Sequence, residues 1–178
     1  MKIKDINTLG KLTGYIKQGK ITYKFTDDTG SIELPFDDMV VYLEEIQKPI
    51  PKRKYIDDLG IPYAETPQGF NTRIRDGRLV NWKNQRDTFG FDEREVWGLD
   101  LTFLLWLYER LRMYDEKNYA DTSFHKFEHR GKTLTFQQCI NKMLQNLKVV
   151  LVDTNIDNVE LVDEILDIFK LCFHCLWF

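Results

Sequence analysis

The stretch KLTGYIKQGKITYKF, residues 11–25, constrains this chain most, because its alternation folds into a hairpin with one apolar and one lysine-rich face. With the turn at Gln18–Gly19, Lys17 pairs with Lys20. The pairs outward are Ile16–Ile21, Tyr15–Thr22, Gly14–Tyr23, Thr13–Lys24 and Leu12–Phe25. Side chains alternate along a strand, and directly paired residues share a face. One face is expected to carry Leu12, Ile16, Ile21, Tyr23 and Phe25, and the other Lys11, Thr13, Tyr15, Lys17, Lys20, Thr22 and Lys24. Lysines around a tyrosine suit a phosphate backbone and an unstacked base. The candidate RNA-contacting residues are therefore Lys11, Tyr15, Lys17, Lys20, Thr22 and Lys24. The same face also reads as a solubilised outer surface whose lysines block edge pairing. The Lys17–Lys20 pair sets like charges opposite one another, a cost that needs an offset.

Charge is distributed unevenly. The chain of 178 residues has a net charge of −3, which excludes a globally basic nucleic-acid binder. Residues 1–24 nevertheless hold six lysines against Asp5, a net of +5, whereas residues 91–178 hold ten Lys/Arg against fifteen Asp/Glu, a net of −5. A basic arm on an acidic body points to polar binding at one end, and to a body that avoids nucleic acid or meets a basic protein surface. Hydrophobic content of 43% is enough for a core, in one domain or one domain plus an arm. Three cysteines, Cys139, Cys172 and Cys175, form a poor disulfide framework and fit a reducing cytoplasm. The N-terminus has lysines but no apolar core of a signal peptide, and the apolar run Leu171–Phe178 is too short to span a bilayer, so no membrane role is expected.

The pattern predicts an α+β protein in three parts. Residues 1–47 make an N-terminal β-hairpin and sheet arm: a turn at Asp27–Gly30, a third strand at Ser31–Leu34, and a short helix capped by Asp37 or Asp38 that covers the apolar face with Met39, Val40, Leu43 and Ile46. Residues 48–87 read as a Pro/Gly-rich basic connector, anchored by Tyr55, Tyr63, Phe70 and Trp82 and made basic by Lys52–Lys54, Arg73, Arg75 and Arg78. Residues 88–178 read as a mainly helical body. A long helix starts at a capping box Asp92-x-x-Glu95 and runs to about Asp115. A small hairpin turns at Arg130–Gly131, and Thr135-x-x-Gln138 caps a helix with Cys139, Ile140, Met143, Leu144, Leu147, Val150 and Leu151 on one stripe. The last helix starts near Asp157 and runs through Ile165, Leu166, Phe169, Cys172 and Phe173.

Several constellations bear on chemistry. Cys172-x-His174-Cys175 has the wrong spacing for a zinc knuckle and falls on an apolar helix, where cysteine packs as a small hydrophobe. His125, Phe127 and His129 share one face of a strand, where the histidines could form an acid–base pair or be ordinary hairpin side chains. Asp100 sits among Trp97, Phe103 and Leu104 and needs a partner; paired carboxylates there could hold magnesium, or an internal ion pair could fix packing. No phosphate-binding loop, dinucleotide fingerprint, zincin, hydrolase elbow or EF-hand pattern occurs, and no small-molecule cofactor is expected. A ribonuclease is not excluded, because RNA supplies its own nucleophile in the 2′-hydroxyl. The lysine face has residues for positioning and charge stabilisation but no histidine or carboxylate of its own, so the catalytic residues are left unassigned.

The segment Gly90–Asp100 (GFDEREVWGLD) with its continuation LTFLLWLYERLRMY, then Phe124–Glu128 and Gly131–Thr135, resembles uncharacterised proteins of phages of Gram-positive bacteria. The whole chain, with its N-terminal hairpin, resembles a type II anti-CRISPR protein of the guide-RNA-truncating kind. That resemblance implies a phage-derived inhibitor acting in the cytoplasm of the bacterial host. Its partners would be the type II CRISPR effector nuclease and its guide RNA, which is shortened only when the effector is present. It also implies that the hairpin, here Lys11–Phe25, matters for cleavage. An effector-dependent ribonuclease is the expectation, with no metal ligands assigned and divalent-metal dependence left open. A non-enzymatic inhibitor, whose acidic body blocks a basic groove, and a phage accessory protein are the alternatives.

Overall fold

Gln18 and Gly19 both occupy the left-handed region, with φ of 51° and 76°. That is the pair of angles a two-residue type I′ turn requires, and its twist matches the strands on either side. The computed structural model describes residues 9–28, 30–69, 77–118, 124–152 and 158–176. In it β1 (Lys11–Lys17) and β2 (Lys20–Asp27) pair antiparallel from Lys17↔Lys20 through Leu12↔Phe25 to Lys11↔Thr26, the expected register. The strand β3 (Gly30–Pro35) adds to β2, so the sheet order is β1-β2-β3.

The apolar side of this sheet is covered by α1 (Phe36–Ile46), which turns Met39, Tyr42 and Leu43 inward onto Phe25. Asp37 and Asp38 do not cap it. Pro35 holds the cap position, and the two aspartates lie in the first turn, where they complement the helix dipole. The second cover comes from α2 and its successor in an unexpected place. Within the stretch expected to be a connector, α2 (Lys54–Asp57) is a single turn, and α3 (Arg78–Phe89) is a three-turn helix burying Leu79, Val80 and Trp82 in the same cluster as Phe25 and Tyr42. The helix α3 eluded the pattern because its apolar residues crowd into its first turns and the rest is polar.

The chain divides into two compact units, Met1–Pro51 with Tyr63–Gly98, and Lys52–Pro62 with Leu99–Phe178. The expected parts 1–47, 48–87 and 88–178 are thus redrawn: most of the connector and residues 88–98 group with the sheet, while 52–62 groups with the helical body. The expected single long helix is also two. Asp92 caps α4 (Glu93–Trp97), and Gly98, with φ −129° and ψ 66°, separates it from α5 (Leu99–Lys117).

In the second unit, β4 (Lys126–His129) and β5 (Lys132–Thr135) form a hairpin through Arg130–Gly131, both at positive φ. The helix α6 (Phe136–Val152) begins with the expected reciprocal cap: Thr135 N–H donates to Gln138 Oε1 at 2.8 Å, and Gln138 N–H to Thr135 Oγ1 at 3.2 Å. Every member of the expected α6 stripe is buried. The last helix, α7 (Val159–Cys172), is capped by Asn158 and buries Ile165, Ile168 and Cys172, whereas Leu166 and Phe173, expected inside, are exposed. Lys2, Lys4, Asp5, Phe70, Arg73, Arg75 and Asp157 lie outside the described residues. Among the described residues no helix is long and apolar enough to cross a membrane.

Candidate nucleic-acid interface

The register decides which side chains meet. Because Lys17 faces Lys20, Tyr15 faces Thr22 and Thr13 faces Lys24, the outer side of the sheet gathers Lys11, Tyr15, Lys17, Lys20, Thr22 and Lys24 together. All six candidate residues therefore share one surface, with Lys11, Lys17 and Lys20 exposed and Tyr15, Thr22 and Lys24 half-buried. The opposite side descends into the core at Leu12, Tyr23 and Phe25 but leaves Ile16 77% and Ile21 63% exposed at the hairpin tip.

The third strand brings a carboxylate that the two-strand pattern lacks. Glu33 pairs with Lys24 and so lies on the lysine side. Lys17 Nζ donates to Glu33 Oε2 at 2.7 Å, and the Tyr15 hydroxyl donates to the same carboxylate. The hydrogen bond from Lys17, then that from Tyr15, lowers the Glu33 pKa, while the Glu33 contact raises those of Lys17 and Tyr15. This is the offset for the facing Lys17–Lys20 charges. The expectation that the face has no carboxylate is corrected. The signal was present in the alternation of Ser31 and Glu33 against Ile32 and Leu34, once the Asp27–Gly30 turn sets Lys24 opposite Glu33. A carboxylate whose pKa is lowered by two donors is a weak proton acceptor at neutral pH. The face is built to hold anions, with one internal anion already in place.

The other candidate groups are deployed structurally. Asp100 is exposed, and its Oδ1 accepts the N–H of Leu101 at 2.8 Å, so no buried carboxylate exists there. The buried one is Asp92, 1% exposed. Arg94 donates to it through Nε at 2.8 Å and Nη2 at 2.7 Å, and Arg86 Nη1 reaches its other side. Burial pushes its pKa up, but the two guanidinium groups outweigh that and lower it. Arg94 in turn lies 4.4 Å from the Trp82 ring centroid.

His129 is buried at the end of β4, its Nε2 3.3 Å from Glu164 Oε1. Glu164 also accepts from Asn146 Nδ2 at 2.8 Å and lies 3.1 Å from Lys142 Nζ. Burial would raise the Glu164 pKa, yet these donors hold it at about 2. The two histidines do share a face, as the alternation required, but His125 lies apart from the Glu164 group, its Nδ1 3.8 Å from Cys175 Sγ. Cys172 is buried, and burial pushes its thiol up to about 12. Among the described residues no group of three or more His, Cys, Asp or Glu is arranged to hold a metal ion.

A cleft of about 400 Å³ in the first unit is lined by residues including Lys48, Ile50, Tyr63, Leu79 and Arg86, none of them on the lysine face. Comparison with protein-family models, curated proteins and solved structures finds no match.

Proposed function

We propose that the lysine face of the β1–β2 hairpin holds single-stranded guide RNA, and that the chain acts as a phage-derived inhibitor of a type II CRISPR effector whose guide becomes shortened. The first half of this is supported by one observation: the register sets Lys11, Lys17, Lys20 and Lys24 on one side of the sheet around the Tyr15 ring. Ammonium groups on a short sheet can follow a flexible phosphate chain, and a tyrosine between them offers a stacking surface to an unpaired base. Glu33 keeps Lys17 and Tyr15 in place until a phosphate competes for them. The second half is supported by the resemblance to guide-truncating anti-CRISPR proteins, with the bacterial cytoplasm as the setting.

The face has the means for binding and positioning more than for proton transfer. Its carboxylate is occupied and weakly basic. This favours a second reading, in which the chain is a non-enzymatic inhibitor and any cutting is done by the effector. One experiment separates the two. Labelled guide RNA is incubated with the protein, with and without the effector, in magnesium and in chelator, and resolved on a denaturing gel. Effector-dependent shortening that disappears in the Lys17→Glu, Lys20→Glu, Lys24→Glu triple variant supports the proposal. Full shortening by that variant overturns it. Inhibition with an intact guide selects the non-enzymatic reading.

A further inference from the structure

The second unit carries an apolar face that its own core does not use. On α5, Phe103 and Trp106 stack at 6.2 Å between centroids with an interplanar angle of 18°. Phe103 meets Phe169 of α7 edge-on at 6.4 Å, and Phe169 meets Phe173 at 5.4 Å. Leu166, one turn before Phe169, extends the strip. This is a continuous aromatic ridge across two helices, yet Trp106 is 45%, Leu166 42% and Phe173 55% exposed. Scattered exposed apolar residues are ordinary, but a connected patch of aromatic rings marks an interface.

We infer that this α5–α7 face is where a second copy of the chain binds, in a two-fold dimer. Charge argues for a copy rather than a foreign surface. The ridge of α5 carries Arg110, whose guanidinium lies 4.7 Å from the Trp106 ring centroid, followed by exposed Lys117. The outer side of α7 carries exposed Glu160, Asp163 and Asp167 against one exposed cation, Lys170. An isologous interface must complement itself. Here one helix is cationic and its neighbour anionic, so turning a copy through 180° lays α5 on α7 and sets Arg110 against Asp163 and Asp167. Nucleic acid would meet the carboxylates of α7 and be repelled. The area also fits. The exposed parts of Trp106, Leu166 and Phe173, with those of Leu99 and Val159 at the helix starts, amount to on the order of 500 Å². A standard interface buries about 800 Å² per partner, of which about two thirds is apolar in homodimers.

Sedimentation equilibrium of the full chain tests this. The expected result is reversible monomer–dimer exchange in the micromolar range. Leu166→Glu, at an exposed site, should weaken the dimer at least about 100-fold while leaving the circular dichroism melt in place. Arg110→Asp and Asp163→Arg should each weaken it about tenfold, and the two together should restore it to within about threefold. A chain that stays monomeric at every concentration overturns the inference, as does a dimer indifferent to Leu166→Glu. Single charge variants that weaken the dimer without mutual rescue overturn the two-fold pairing.

Discussion

Glu33 and Glu164 are two carboxylates gripped by lysine, and they do opposite work. Glu33 lies on the outer face of the sheet, held by Lys17 and Tyr15, with water on all sides of the pair. Glu164 lies between β4, α6 and α7, held by His129, Asn146 and Lys142, with its side chain 12% exposed. Solvent screens the first pair to little net worth and leaves Lys17 ready to exchange its partner for a phosphate. Burial makes the second costly to break, so it locks a hairpin onto two helices. The same ion-pair chemistry is thus a replaceable plug in one region and a clamp in the other, and exposure decides which.

The largest contrast is expected in the cores beneath the two sites. Phe25 and Leu147 are both fully buried, one under the sheet and one in the helical body. Phe25→Ala should cost about 3–5 kcal/mol and Leu147→Ala about 2–5 kcal/mol in chemical denaturation. The difference between them lies in the site carried along: Phe25→Ala should also abolish RNA binding, because the sheet that aligns the lysines loses its floor. Retained RNA binding by a Phe25→Ala chain would separate the face from the fold.

Glu164 comes next. Its pKa in the folded chain, about 2, lies below the ordinary glutamate value. The unfolded chain therefore binds the proton more readily, and stability is present above about pH 4.5 and lost as pH falls toward 2. The loss should be about 2–3 kcal/mol. Denaturation midpoints measured between pH 5 and 2 should fall less steeply in Glu164→Gln than in the native chain; equal slopes would show that Glu164 is no clamp.

Glu33→Gln sharpens the comparison from the other side. Removing the internal anion frees Lys17 for RNA, so affinity should rise several-fold and the logarithmic salt slope should steepen by about 0.7, the value of one further phosphate contact to a single strand. Stability should change by no more than about 0.5 kcal/mol. Weaker RNA binding would mean that Glu33 organises the site instead of plugging it. The smallest effect belongs to the turn. Gln18 holds a positive φ without being glycine or asparagine, so Gln18→Asn should stabilise the hairpin by a few tenths of a kcal/mol, visible as a small rise in melting temperature.

The first hairpin was legible to the residue because a two-residue turn flanked by alternating side chains allows one pairing that buries Phe25 and Leu12 together. The α6 stripe and its Thr135–Gln138 cap were legible for the same reason: period and punctuation agree. The helix α3 was not, since Leu79, Val80 and Trp82 cluster at one end and only the sheet beneath them explains the burial. The buried carboxylate was misplaced from Asp92 to Asp100 because the helix was read through Gly98; the break turns Asp100 outward and leaves Asp92 between Arg86 and Arg94. Glu33 was missed because a face was read from two strands when three build it. Partners that lie far apart in sequence, such as Glu164 and His129, announce themselves only after the elements pack.

The salt dependence of RNA binding tests the central claim most directly. Fluorescence anisotropy of a labelled single-stranded guide segment should give a logarithmic slope of about −2 to −3 for the native chain, as expected for phosphates held by Lys11, Lys17, Lys20 and Lys24. The Lys17→Glu, Lys20→Glu, Lys24→Glu variant should bind too weakly to titrate while keeping its circular dichroism spectrum. Native-like affinity and slope in that variant would contradict the account.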